Sequence, residues 1–380
     1  MKTVLIGIDG NEANVSQRVG SNGYAWELLR ALHEYLSETH RFAVRVYLAQ
    51  PPLPDMPAAT DWWQYRVLPP PKLWTQWRLP LDLWQHRDIS LFFSPGHYLP
   101  STCPVPTVAT IMDLGYERFP EQFRTNDLWQ LRLLTRFSVR QARHLFAISE
   151  FTKRDLHELY QQPLSKITVA YPAVANISQP TADISLSKQN WGINQPYFLY
   201  VGTLQPRKNI IRLIAAYDQL RQSGHAAQLV LAGKVGWLSE GMMAARDASA
   251  YAADIVLTGY VSEEEKTALM RDALATVLVG LYEGFGIPPL ESIQLGTLPI
   301  VSSTASLPEV VGPDYPWQVD PYNVPAIAAA LTKVITATAE EKSGWLQLAQ
   351  KHARQFSWHN TARLIGETLA RLAEPATLVL

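Results

Sequence analysis

The chain has 380 residues, one cysteine, and 33 Lys plus Arg against 34 Asp plus Glu, for a formal net charge of −1. That length predicts two or three domains at roughly 150 residues each. The balanced charge excludes a whole-molecule attraction for nucleic acid or an anionic membrane. Cys103 alone excludes an internal disulfide and a multi-cysteine zinc site. The opening MKTVLIGIDG reaches Asp9 after a very short apolar run. It therefore predicts neither a signal peptide nor a spanning helix, and the expectation is a soluble, cytoplasmic protein.

Short apolar runs alternate with amphipathic stretches, the pattern of parallel strands joined by crossover helices, so the expected fold class is α/β. The first strand is Val4 to Asp9. After a polar loop, Tyr24, Leu28, Leu29, Leu32 and Leu36 share one helical face. Further strands are predicted at FAVRVYLA from Phe42, VATIMD from Val108 and HLFAIS from His144. The tryptophan-rich stretch Asp61 to Trp84 reads either as an acceptor or membrane-surface patch or as a packed face. The helical spacing of Trp74, Trp77, Leu81 and Trp84 favours packing.

From Ala170 to Asn190 prolines and serines without periodicity predict a connector. This places an N-terminal domain at 1–175 and a second domain at 190–360. The second restarts with YFLYVG from Tyr197, QLVLAG from Gln228, DIVLTG from Asp254, LATVLVGLY from Leu274 and TLPIVSS from Thr297. Ser262 and Glu265 form a capping-box pattern before one intervening helix. Ligands of such domains bind at the carboxyl ends of strands and in clefts.

Four groups of residues carry candidate chemistry. In YVGTLQPRKN a strand ends at Gly202, and Arg207 and Lys208 precede a helix over 210–220 with Asn209 as its cap. Helix-start N–H groups and two cations suit a phosphate or diphosphate, although a solvated pair of loop cations reads the same way. Gly20 and Gly23, between the first strand and first helix, allow backbone to approach a phosphate or sugar, or simply make a turn. In YEGFGIPPLE the strand is expected to end at Glu283. Gly284, Phe285 and Gly286 make a tight turn, Pro288 and Pro289 open a helix, and Glu291 follows about one turn in. The two carboxylates suit vicinal hydroxyls of a sugar and a ribose, or merely stabilise a helix start. Asp113, with His97 and Tyr98 of the loop SPGHY, completes the set. Nine histidines occur without metal-ligand spacing, so no essential metal is expected.

Taken together, FLYVGTLQPRKNI, LVLAGKVGW, VLTGYVSEEE, YEGFGIPPLESIQLGTLPIVSSTASLPEVVG and VDPYN resemble the retaining glycosyltransferases of family four over nearly the whole chain. The resemblance implies the GT-B fold of two Rossmann-like domains, with the final helix, 362–380, packing back on the N-terminal one. It implies that Glu283 contacts the transferred sugar and Glu291 the nucleotide ribose, and that Arg207 and Lys208 hold the donor diphosphate. Gly284 to Gly286 would then lie against sugar and phosphate, and Gly20 near diphosphate and acceptor. Many relatives carry histidine where this chain has Met112, which opens the alternatives of a different sugar, lower activity, or compensation by His97. The implied reaction moves a hexose, first mannose from GDP-mannose and second a UDP-hexose, to a saccharide or lipid-linked acceptor bound by the N-terminal domain. Peripheral membrane contact through that domain is part of the implication. No cofactor beyond the nucleotide sugar and no nucleic acid partner are expected. A nucleotide-sugar epimerase and a non-catalytic binding or partner protein remain alternatives, and product analysis separates the three.

Overall fold

Apolar runs without alternation need a hydrogen-bonding neighbour on each edge and a helix on each face. The computed structural model, which describes residues 4–96, 98–174 and 183–374, provides this arrangement twice. The chain forms two units, one of Met1–Glu117, Asn126–Ala175 and Phe356–Leu380, the other of Arg118–Thr125 and Asn176–Gln355.

The first unit runs β1 (Leu5–Asp9), α1 (Ser21–Thr39), β2 (Ala43–Leu48), β3 (Trp63–Val67), α2 (Leu79–Gln85), β4 (Leu91–Ser94) and β5 (Thr107–Ile111). It continues with α3 (Gly115–Arg118), α4 (Thr125–Gln141), β6 (His144–Ala147), α5 (Glu150–Tyr160) and β7 (Ile167–Val169). The strands pair in parallel in the order β3-β2-β1-β4-β5-β6-β7. The predicted α1 face is buried at all five positions, Tyr24, Leu28, Leu29, Leu32 and Leu36.

The second unit runs α6 (Ser185–Trp191), β8 (Tyr197–Val201), α7 (Ile210–Gln222), β9 (Gln228–Ala232), α8 (Glu240–Ala248), β10 (Ile255–Gly259), α9 (Glu263–Asp272) and β11 (Ala275–Leu278). After these come α10 (Ile287–Leu295), β12 (Pro299–Ser302), α11 (Leu307–Val311), β13 (Gln318–Val319), α12 (Val324–Thr336) and α13 (Ala339–Ala353). Its parallel sheet has the order β10-β9-β8-β11-β12-β13. Alternate residues of β8 feed opposite faces: Phe198 and Tyr200 join one core, Tyr197 and Leu199 the other.

The last helix, α14 (Trp358–Ala373), belongs to the first unit and packs on α1. Thr361 Oγ1 donates to the Tyr171 carbonyl at 2.6 Å, and the Trp358 ring lies 5.5 Å from that of Tyr24. Close approach of the two helices depends on Gly366, where an added Cβ would sit 2.5 Å from Tyr35 Cε1.

Several expectations need correction. Trp77, Leu81 and Trp84 are exposed and only Trp74 is buried. Trp74–Arg78 winds as a π-helix before α2. Its wider turn rotates the later residues, so Leu79 and Leu83 take the inward positions. Part of the expected connector is α6, because Ser185 onward is helical; residues 175–182 lie outside the described set. β11 stops at Leu278, so Glu283 stands on a loop and not at the strand's end. Unanticipated are β3, β4, β7 and β13, the shortest of which has 2 residues, too few for any periodicity to register. The capping box at Ser262 and Glu265 is present as expected.

Two glycine substitutions should act in opposite directions. Gly366→Leu overpacks the α1–α14 contact and should cost about 1–3 kcal/mol. Gly344→Ala, in α13 with nothing within 4 Å of the added Cβ, should gain about 0.5–1 kcal/mol from helix propensity. Thermal denaturation of both variants checks the signs.

Candidate active site

In the second unit the strand order reverses between β8 and β11. In open parallel sheets ligands sit outside the carboxyl ends of strands at such a reversal. The loop after β8 begins at Gly202 and makes one 3₁₀ turn over Pro206–Lys208, carrying Arg207 and Lys208. Asn209 follows with a left-handed φ of 62°. It is not the helix cap expected, since its side chain makes no capping bond to α7. Instead its buried carboxamide donates to the carbonyls of Val279 at 2.9 Å and Pro321 at 2.7 Å, and its Oδ1 accepts from Arg212 at 2.9 Å. Leu281 N adds a bond to the Arg207 carbonyl at 2.8 Å. The loops after β8 and β11 are thereby locked together.

That lock brings the predicted charges into one cluster. Glu283, 7% exposed, accepts from Lys208 Nζ on one carboxylate oxygen and from Arg207 NH1 at 3.3 Å on the other. Arg207 NH1 also reaches the Tyr282 carbonyl at 3.1 Å. Two cations against one carboxylate leave the cluster a net +1, which suits a further anion. The turn beyond is fixed by Ser306, whose buried Oγ lies 2.8 Å from the carbonyl oxygens of both Glu283 and Phe285. Gly286 takes φ 107°, and an added Cβ there would meet Leu307 Cδ2 at 2.5 Å. Only glycine fits this position.

Glu291 lies inside α10, which opens on Pro288 and Pro289. It is buried, and its Oε1 accepts from Lys266 Nζ at 2.8 Å. Lys266 also pairs with Glu263 at 2.6 Å. Burial pushes the Lys266 ammonium down, but the carboxylates of Glu291 and Glu263 outweigh it and hold the group above its ordinary value. Lys266, Ser306 and Tyr282 were not anticipated. Their partners lie far away along the chain, as with the 25 residues between Lys266 and Glu291. The excursion 118–125 was also missed as part of this unit. Phe119 stands edge-on to Tyr282 at 6.1 Å, and the Trp237 indole donates to the Gln122 carbonyl at 2.8 Å. Among the described residues no three His, Cys, Asp or Glu side chains converge as a metal set.

In the first unit the reversal falls between β1 and β4. Gly20 stands before α1 with φ 56°, and nothing lies within 4 Å of an added Cβ at Gly20 or Gly23. Backbone conformation, and not crowding, asks for glycine at 20. Glu12, missed from sequence, is held by Asn22 Nδ2 at 2.7 Å and Ser21 Oγ at 3.3 Å. Asp113 Oδ1 accepts from Gly115 N at 3.0 Å. Burial, with the negative charges of Glu12 and Asp113, pushes the Tyr98 hydroxyl up to about 12. His97 lies outside the described residues. Met112 is buried, and its carbonyl lies 3.4 Å from Thr152 Oγ1. At the end of β1, burial raises Asp9 to about 7, against the opposing bonds from Asn11.

Comparison with known proteins gives the class and then the family. The model described as Glycosyltransferase Family 4 matches residues 20–175, and the model described as Glycosyl transferases group 1 matches residues 183–351. The protein is a glycosyltransferase. It belongs to glycosyltransferase family four. It is 29% identical over 287 residues to the O-antigen chain mannosyltransferase B of Escherichia coli, covering 73% of this chain and 74% of that one. It is 30% identical over 190 residues to a GDP-mannose-dependent alpha-(1-6)-phosphatidylinositol dimannoside mannosyltransferase of Mycobacterium tuberculosis, covering 49% of this chain and 47% of that relative. The sucrose-phosphate synthase of Thermosynechococcus elongatus superposes with a TM-score of 0.72 over 97% of this chain and 99% of that one, at 17% identity. This last likeness concerns the fold, which is GT-B.

The Asp9 carboxyl gives a pH test. Its folded value lies above its ordinary 3.8, so the folded state binds the extra proton and stability falls as pH rises from about 4 to 7. Asp9→Asn should therefore leave stability near pH 4 little changed and raise it above pH 7, by up to ~4 kcal/mol. Denaturation midpoints of wild type and variant across that range check the sign.

Proposed function

We propose that the chain transfers mannose from GDP-mannose to a hydroxyl of a saccharide or lipid-linked saccharide, with retained anomeric configuration and without a metal. The observation that carries this reading is the Lys208–Glu283–Arg207 cluster at the β8/β11 reversal. A nucleoside diphosphate leaving group develops negative charge as the glycosidic bond breaks, and two fixed cations stabilise it where a metal otherwise would. In the free protein Glu283 occupies those cations. An arriving diphosphate takes them over, and the released carboxylate accepts hydrogen bonds from the sugar hydroxyls. Glu291, held in place by Lys266, accepts from the ribose hydroxyls in the same way, and the Gly202 and 284–286 backbone lies along phosphate and sugar.

Retention is what the family resemblance implies. With the diphosphate bound, the Glu283 carboxylate is engaged by the sugar hydroxyls, so a two-step route through a covalent glycosyl-enzyme is disfavoured. The acceptor hydroxyl instead enters on the face that the diphosphate leaves. The bond from its oxygen to the anomeric carbon forms as the carbon–phosphate oxygen bond breaks, and its proton passes to a phosphate oxygen. Gly20, Asp113, His97 and Tyr98 of the first unit are proposed for the acceptor, with Asp113 orienting its hydroxyl. Mannose as the sugar is supported by the names of both curated relatives, and GDP by that of the mycobacterial one. A lipid-linked acceptor puts the enzyme at the cytoplasmic face of a membrane.

Thermal denaturation against GDP, UDP, ADP and their sugar conjugates tests the donor, because a ligand of the native state alone raises the midpoint. GDP and GDP-mannose should raise it; no shift with any nucleotide counts against the reading. Product analysis by NMR should then show an α-mannoside. A changed sugar nucleotide would indicate an epimerase, and neither product would indicate a binding protein. Glu283→Ala should lower turnover by ~10²-fold or more while bare GDP still binds.

A further inference from the structure

In the first unit the loops that leave β1 and β4, on either side of the strand-order reversal, meet through Glu12. Its side chain lies against Gly96, two residues past the end of β4. A Cβ added at Gly96 would stand 2.9 Å from Glu12 Cγ and 3.9 Å from its Oε1. A larger residue at 96 would therefore displace the carboxylate. From the other side Asn22 Nδ2 donates to Glu12 Oε2 at 2.7 Å and to the Glu12 carbonyl at 3.0 Å, and Ser21 Oγ reaches the same Oε2 at 3.3 Å. The start of α1 and the two loops thus fix one side chain.

Both side-chain bonds fall on Oε2. Among the described residues no donor meets Oε1 and no cation pairs with Glu12. An ionised carboxylate only accepts, at about four lone-pair sites, so this one is anchored with capacity left over. The ends of β1, β4 and β5 are neighbours in the sheet, which puts Glu12 on the same edge as Asp113, two residues past β5. Negative charge beside the first turn of α1 is stabilising without a ligand. That role alone leaves the open oxygen and the clearance at Gly96 without a task.

We propose that Glu12 binds the acceptor and sets its class. Oε1 accepts hydrogen bonds from hydroxyls of an uncharged sugar, and the unpaired charge disfavours a saccharide that carries phosphate there. The proposal rests on the reading of the first unit as the acceptor unit and deepens it. The two units then divide their ligands by charge: the cationic cluster takes the diphosphate, and Glu12 takes neutral hydroxyls.

The test is saccharide binding to the full chain by saturation-transfer NMR, without a donor. The probes are the methyl α-glycosides of mannose, glucose and galactose and their 6-phosphates. The wild type should bind at least one neutral glycoside, and its 6-phosphate more weakly. In Glu12→Gln the amide oxygen can still accept from Asn22 and Ser21, which leaves an NH2 group where Oε1 stood. Affinity for the neutral glycoside should fall roughly tenfold, and the discrimination against its phosphate should shrink. Gly96→Ala should act in the same direction by displacing the carboxylate. Melting midpoints and GDP affinity should be unchanged in Glu12→Gln. Absent GDP binding would sink the donor reading while leaving a positive saccharide result in force. No binding of any neutral glycoside, equal binding of neutral and phosphorylated probes, or a Glu12→Gln variant that melts lower with unchanged saccharide affinity would overturn the proposal.

Discussion

A carboxylate out of water is costly unless cations meet it, and Glu283 is met twice, by Lys208 and Arg207. Those partners arrive only because the loops after β8 and β11 are tied by the Asn209 carboxamide and by the Leu281 N–H. Sheet order, loop geometry and charge therefore form one chain of dependence. The parallel sheet puts the two strand ends side by side, Asn209 fixes the distance between their loops, and the ion cluster forms in the space left. A site built this way is preorganised for a second anion, because its cations are held in place before the ligand comes.

The sequence made much of this legible, for reasons that can be named. Short apolar runs announced β1, β2, β5 and β6 of one sheet and β8 to β12 of the other, and glycine followed by paired prolines announced the turn into α10. Arg207, Lys208 and Glu283 were readable as candidates because each follows a strand. That they touch was not, since the contact crosses 75 residues of chain. Lys266 behind Glu291 was invisible for the same reason. Asn209 was misread because its position before a helix suggests a cap, whereas its left-handed backbone turns the carboxamide toward two carbonyls instead.

The tryptophan-rich stretch teaches a different lesson. A period of 3.6 residues says that a face exists, but not whether protein, water or lipid covers it. Here a π-turn shifted the register, and Trp77, Leu81 and Trp84 ended outside. Likewise a net charge of −1 averages over the whole chain and hides the arginines gathered on α4. Whole-chain composition excludes a global field, not a local one.

The central claim is that Glu283 holds the cationic pair until a diphosphate replaces it. Calorimetric titration of GDP into the wild type, Glu283→Gln, Lys208→Ala and the double variant measures that exchange as a coupling. The account expects Glu283→Gln to bind GDP roughly tenfold tighter, with this gain largely lost when Lys208 is also removed. Unchanged or weaker affinity in Glu283→Gln, or strictly additive effects, would contradict it.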